Sequence, residues 1–315
     1  MSLPDQKVSA STLQTIGNTP LVRLQKVVPP GSAEVLVKLE YFNPTGSYKD
    51  RMALAMIEEA ETRGTLRPGM TVVEYTGGST GSSLAFVCAV KGYKFKAVSS
   101  DAFAKEKLQS MRAFGAELVL VPSERGQITP DLTPRMIELT RQLAEEEGVY
   151  WTDQLHNVDI ITGHEQLGRE LLAQMERPIA AFCGAVGTAG MLMGVAKALR
   201  QANSPARIVA LEPASSAFIS TGKAGNHQVE GIGIGSVPPL LSPQMYDEVR
   251  GIDEGEAREM ARLLAREEGI FAGVSSGLNV VGALQLAREL GVGHSVVTVA
   301  VDTGLKYLAG ELYKL

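Results

Sequence analysis

Lys49 lies at the junction of a turn and a helix in NPTGSYKDRMALAMIEEA, a segment that begins at Asn43. The first turn of a helix carries partial positive charge from unpaired N–H groups, so it favours Asp or Glu over Lys. Ser47 suits the cap and Asp50 the first turn, but Lys49 sits between them against that rule. Such a position lowers the pKa of the amine, as a nucleophilic or Schiff-base lysine requires. The competing reading is an ordinary solvent pair between Lys49 and Asp50.

Three glycine-rich turns share the chain with this lysine. EYTGGSTGSSLAFV passes through Thr76, Gly77, Gly78, Ser79, Thr80 and Gly81 into a helical pattern. Its glycines let backbone approach a ligand closely, and the helix start offers free N–H groups to an anion. A carboxylate and a phosphate are served alike, and a tight capped turn without a ligand is the alternative. FCGAVGTAGMLMGVAKAL repeats the plan with Gly184, Gly187 and Gly190. Consecutive N–H groups around Gly187, Thr188, Ala189 and Gly190 suit a dianion at a helix start. Val186 stands where a dinucleotide fingerprint wants glycine, and the lysine and serine of a nucleotide P-loop are missing, so a monophosphate fits better than a pyrophosphate. GIFAGVSSGLNVVGALQLA sets Ser275 and Ser276 before a third helix. Capping accounts for one of them and leaves the other for a pocket. EGIGIGSVPPLL, from Glu230, adds Gly231 and further small residues against which a ligand could lie.

The elements that must carry these turns alternate along the chain. EVLVKLE, TVVEY, FKAVSS, ELVLVP, AAFC, RIVALE and SVVTVAV read as buried strands, and amphipathic runs between them read as helices. Several helical runs end at glycine (Gly64, Gly92, Gly115, Gly148, Gly269, Gly291), as helix C-termini commonly do. Strand–helix–strand alternation implies an α/β fold with largely parallel sheets covered by helices. There is no tandem repeat or low-complexity linker, and a weak boundary falls at EEEGVYWTDQ. The expected architecture is two packed α/β domains, residues 40–150 forming the smaller and 1–39 with 151–315 the larger.

Composition narrows the function. The 315 residues carry a net charge of −5, with 44% hydrophobic and 21% charged residues, which argues against a nucleic-acid-binding surface. Cys88 and Cys183 are far apart and read as buried reduced thiols. His156, His164, His227 and His294 form no ligand pair with a carboxylate, so no metal is expected. MSLPDQKVSAS lacks the pattern of a secretory signal, and no apolar stretch approaches a membrane span, so a cytoplasmic enzyme is expected. One ligand unites a poised lysine, a monophosphate cup and a small-anion loop. Pyridoxal 5′-phosphate brings an aldehyde and a phosphate, and its amino-acid substrates bring a carboxylate.

The chain resembles the cysteine synthase family (O-acetylserine sulfhydrylases and cystathionine β-synthases) of fold-type II, tryptophan synthase β-like pyridoxal-phosphate enzymes. The resemblance runs through IGNTPLVRL, VKLEYFNPTGSYKDRMA, GSTG, MRAFGAELVLV, ALEP, EGIGIGSVP, EEGIFAGVSSG and VDTGLKYL, in that order. It implies that Lys49 is the Schiff-base lysine and the base for the substrate α-proton. It implies too that Thr76, Gly77, Gly78, Ser79 and Thr80, with Gln154 and Gly231, bind the substrate. Gly187, Thr188, Ala189 and Gly190 then hold the phosphate, Ser79 adjoins the cofactor, and Ser275 bonds the pyridine nitrogen. A serine there leaves the ring a moderate electron sink, suited to losing a β-substituent.

The chain departs from the family where Thr-Ser-Gly-Asn-Thr is usual. Gly77 removes a hydroxyl from the carboxylate grip, and Ser79 is shorter than the asparagine that reaches the cofactor's phenolic oxygen. Ala189 and Met191 replace a common glycine and threonine in the phosphate loop, and the stretch after Gln154 is shortened. The resemblance implies β-replacement on an O-activated serine, with sulfide as nucleophile and cysteine as product. β-Elimination as a cysteine desulfhydrase or serine/threonine dehydratase is the alternative, as is replacement with another nucleophile. A member that binds cofactor without efficient chemistry is a further class, and a nicotinamide oxidoreductase is disfavoured by glycine spacing. A homodimer and association with a serine acetyltransferase are implied by the resemblance alone.

Overall fold

The computed structural model describes residues 8–127, 129 and 131–314. The first part of the chain contributes β1 (Leu21–Arg23), β2 (Glu34–Leu39), α1 (Lys49–Arg63), β3 (Thr71–Tyr75), α2 (Ser79–Lys91), β4 (Lys94–Ser100) and α3 (Lys105–Ala113). There follow β5 (Glu117–Val121), α4 (Leu132–Ala144), β6 (Val149–Trp151), α5 (Asp159–Gln174), β7 (Ala181–Ala185), α6 (Gly190–Gln201) and β8 (Arg207–Pro213). The remainder supplies α7 (Phe218–Thr221), β9 (Glu248–Ile252), α8 (Glu254–Leu263), α9 (Val274–Leu290) and β10 (Ser295–Ala300). A π-helical turn, Leu264–Glu268, extends α8 and ends at Gly269 in the left-handed region.

The strands form two sheets, as the alternation predicts. One has four parallel strands in the order β5-β4-β3-β6, and the other has six in the order β1-β2-β10-β7-β8-β9, antiparallel only at β1–β2. Ser-Val-Val-Thr-Val-Ala of β10 is buried along its whole length because it lies between two parallel neighbours. Helix α9 is buried over most of its surface and is correspondingly apolar, with Ser276 and Asn279 hydrogen-bonded to neighbouring backbone. Met52, Met56 and Ile57 of α1 are fully buried, each contributing about 1.5–3 kcal/mol of transfer free energy. Among the described residues no helix is long and apolar enough to cross a membrane.

Several elements differ from the sequence expectation. Val149–Trp151, read as part of a boundary, is a strand that pairs with β3, so it runs across position 150/151. β1 and β9 escape a hydrophobic-pattern search because they are short and only partly buried. Gly184 lies inside β7 and not in the turn after it; a Cβ there would strike the Met191 methyl. Ser275 and Ser276 are not ahead of their helix but in the first turn of α9, which Gly273 precedes. Cys88 and Cys183 are free and buried.

Candidate active site

The loops that begin at the carboxyl ends of β3, β7 and β10 supply the site, the edge at which open α/β sheets characteristically bind ligands. Asp302, just past β10, ties the parts together. Its backbone bridges to Ser47 ahead of α1, and its carbonyl accepts from the Gly273 N–H ahead of α9 at 3.2 Å. Tyr48 N–H donates to Val301 at 3.1 Å. The Tyr48 ring packs on His164 at 5.1 Å between centroids, and a Cβ on Gly190 would lie 3.6 Å from the same imidazole. The start of α1 is thereby joined to the starts of α6 and α9.

Lys49 is the first residue of α1; the cap position falls on Tyr48, which makes no side-chain cap bond, and not on Ser47 as expected, although Ser47 Oγ accepts the Lys49 backbone N–H at 3.2 Å. Its side chain is 8% exposed, with Nζ 4.9 Å from the centre of the Tyr48 ring. Burial lowers its pKa to about 8 against the opposing pull of the Asp302 carboxylate. No solvent pair with Asp50 forms. Asp50 turns back to accept from Thr45 N–H at 2.8 Å and Thr45 Oγ1 at 2.6 Å, and so closes the turn before the helix.

The loop from Thr76 to Thr80 is shaped from within. Thr76 Oγ1 accepts from Gly78 N–H and Gly81 N–H, both at 3.1 Å. Thr80 Oγ1 donates to Gln154 Oε1 at 2.9 Å, and Gln154 Nε2 donates to the Tyr75 carbonyl at 2.8 Å. Gln154 therefore reaches the loop that the sequence expectation assigned it to, across 74 residues. Gly77 has a physical reason: a Cβ there would come within 2.7 Å of the Phe103 ring. Ser79 Oγ accepts from Lys306 Nζ at 3.2 Å.

Behind the loop, Glu74 is fully buried and accepts from Thr152 Oγ1 at 2.6 Å and Gln154 N–H at 3.0 Å. Burial raises its pKa to about 7, the hydrogen bonds offsetting only part of the effect. Its folded pKa exceeds the ordinary value of 4.5, so its contribution is present below about pH 4.5 and is lost as pH rises through 7. Glu74→Gln, which stays neutral, should flatten the fall in stability between these limits. Urea midpoints of both proteins at pH 5 and pH 8 check it, and an unchanged pH dependence would contradict this assignment.

Gly187, Thr188, Ala189 and Gly190 form the turn into α6. Gly187 sits against the Gly231 carbonyl oxygen so closely that a Cβ would collide with it, which brings these two residues together. Ala189 adopts φ 68°, left-handed backbone that costs a non-glycine residue roughly 1–2 kcal/mol. Gly187→Ala should weaken phosphate-dependent cofactor binding by roughly tenfold or more, because backbone must move to admit the methyl. Equilibrium dialysis of cofactor against the variant checks this, and an unchanged affinity would contradict it.

Ser275 and Ser276 part company in the first turn of α9. Ser276 Oγ accepts from Val301 N–H at 2.9 Å, while Ser275 beside it is 4% exposed. Residues that the sequence did not single out also converge here. Lys107 pairs with Glu230, and its Nζ lies 5.0 Å from the Tyr307 ring centre. Tyr307 OH donates to Asp302 at 2.8 Å. Lys107 and Glu230 are 123 positions apart, so no local signal links them. VDTGLKYL, which contains Asp302, Lys306 and Tyr307, was visible only as a family motif.

Pyridoxal 5′-phosphate fits these residues. A buried amine with lowered pKa, a glycine turn leading into the start of α6, and a serine at the start of α9 match its aldehyde, phosphate and pyridine nitrogen. Among the described residues no group of His, Cys, Asp or Glu is arranged to hold a metal ion.

Comparison with known proteins is in accord. The sequence profile of the "Pyridoxal-phosphate dependent enzyme" family matches residues 12–302. Cysteine synthase of Staphylococcus aureus (strain N315) is 44% identical over 310 residues, covering 98% of each chain. O-ureido-L-serine synthase of Streptomyces lavendulae is 40% identical over 305 residues, covering 96% of this chain and 92% of that one. The crystal structure of cysteine synthase from Entamoeba histolytica superimposes with a TM-score of 0.93 at 33% identity, covering 100% of this chain and 94% of the other.

Proposed function

The chain belongs to the pyridoxal-phosphate-dependent enzyme family, in its fold-type II branch, and on that premise we propose that it is a cysteine synthase. It replaces the acetoxy group of O-acetyl-L-serine with sulfide: the Cβ–O bond breaks, acetate leaves, a Cβ–S bond forms, and cysteine results. The observation that carries this reading is Lys49, buried at the start of α1 with its amine at about 8, beside three ligand-shaped turns.

When bound, pyridoxal 5′-phosphate supplies the electron sink for negative charge at the substrate α-carbon. Gly187, Thr188, Ala189 and Gly190 would hold its phosphate with their N–H groups at the start of α6. Ser275, in the first turn of α9, would donate its hydroxyl to the pyridine nitrogen, and a hydroxyl is too weak an acid to protonate it. Thr76, Gly77, Gly78, Ser79 and Thr80 receive the substrate carboxylate, with Gln154 fixing Thr80 and Gly231 bordering the cup. Lys49 Nζ would hold the cofactor through its aldehyde, and the same amine, when free and neutral, is the base for the substrate α-proton. Burial at about 8 keeps roughly a tenth of the amine neutral at pH 7, some 300 times the fraction of an ordinary lysine at 10.5. The family resemblance supports a cytoplasmic homodimer able to associate with a serine acetyltransferase, and the buried reduced cysteines suit that compartment.

A spectral titration tests the reading. O-Acetyl-L-serine added to cofactor-loaded protein should shift the visible absorbance band, and sulfide should return it. A band that O-acetyl-L-serine leaves unmoved would overturn the assignment of substrate.

A further inference from the structure

Lys306 presents a cation whose charge is not matched at contact distance. It follows the β10 end in a short 3-10 turn, Gly304–Tyr307, and its Nζ donates to the neutral Ser79 Oγ at 3.2 Å. Among the described residues no carboxylate lies within 4.0 Å of it. The nearby acids are committed elsewhere. Asp50 accepts from Thr45, and Asp302 accepts from Tyr307 with one oxygen while its second is buried without a partner. Lys107, the other cation at this mouth, is already paired with Glu230. One ammonium is therefore held on a hydroxyl, at the first residue of α2 and inside the loop that receives the substrate.

Ser79 stands where the family pattern has an asparagine, and the Lys306 ammonium lies on its hydroxyl. We propose that Lys306 is an oxyanion-binding residue of this site, held on Ser79 until cofactor and amino acid arrive. The inference rests on Thr76 to Thr80 being the substrate loop. Two oxyanions come to that place: the carboxylate of the amino acid, and the phenolic oxygen of the cofactor, which the missing asparagine would have met. A lysine charge there supplies a contact from the turn after β10 and adds attraction that an amide lacks.

The test compares wild type, Lys306→Met and Lys306→Arg, each loaded with pyridoxal 5′-phosphate, by visible absorbance and by titration with O-acetyl-L-serine. If the carboxylate is the oxyanion, Lys306→Met should bind the amino acid roughly tenfold or more weakly, with the resting band unchanged. If the phenolic oxygen is the oxyanion, the resting band itself should move before any amino acid is added. Lys306→Arg keeps the charge and should recover part of either effect, which a merely structural role would not produce. Equal affinities and identical bands in wild type and Lys306→Met would overturn the inference while leaving the enzyme assignment intact. A wild-type protein that no amino acid perturbs would sink both.

Discussion

Lys49→Ala should abolish the covalent attachment of pyridoxal 5′-phosphate and lower kcat/KM by on the order of a thousandfold or more. The visible band should vanish from dialysed protein, because no other lysine has the same position. Lys107 is paired with Glu230, and Lys306 is held at Ser79 beside the substrate loop. Burial of Lys49 provides a second signature. In the protein freed of cofactor, the rate of attachment should rise with pH through about 8 and then level, following the neutral amine. The sign is fixed by the shift: a lysine amine depressed from 10.5 is neutral above its lowered value and charged below it. A rate still climbing toward pH 10.5 would contradict the buried environment. Retention of the band in Lys49→Ala would contradict the assignment of the residue itself.

The other large effect concerns what holds Lys49 in place. Two residues further along α1, Arg51 donates to Glu40 at 2.7 and 2.9 Å and to Glu170 of α5 at 2.8 Å through both terminal nitrogens. Lys38 of β2 reaches Glu170 at 2.7 Å. All four groups are buried, so two cations and two anions neutralise one another away from water. Burial would raise the Glu170 pKa, but the Arg51 bonds prevail and hold it at about 2. Arg51→Leu leaves two buried carboxylates facing one ammonium and should destabilise the fold by about 3–5 kcal/mol. Urea unfolding at pH 7 measures this. Because the folded pKa of Glu170 is depressed, its share of stability is present above about pH 4.5 and is lost as pH falls toward 2. A loss below about 1 kcal/mol would place the cluster among surface pairs and contradict its buried role.

Much of this site was legible in the sequence, for reasons that can be traced. Lys49 violated a local electrostatic preference, and the three turns combined glycine with helix starts, so composition and spacing exposed them without contacts. The strength of the lysine's perturbation was not legible in the same way. The helix terminus drew attention to the position, whereas burial is the leading cause of the lowered pKa, and burial is a tertiary property: α5 brings His164 against Tyr48, and the end of β10 brings Asp302 against Ser47. The glycine at 77 read as a lost hydroxyl, but the structure explains it by the Phe103 ring. Glu74, Lys107 and Lys306 act through partners 78, 123 and 227 positions away and leave no periodic trace. β9 was missed because Arg250 and Gly251 interrupt a strand only partly buried at the sheet edge.

Product analysis tests the central claim most directly. Cofactor-loaded protein is incubated with O-acetyl-L-serine with and without sulfide, and cysteine, acetate, pyruvate and ammonia are quantified. The account predicts cysteine and acetate in equal amounts, formed only when sulfide is present. Pyruvate and ammonia released at the same rate whether or not sulfide is added would contradict β-replacement and assign the site to elimination.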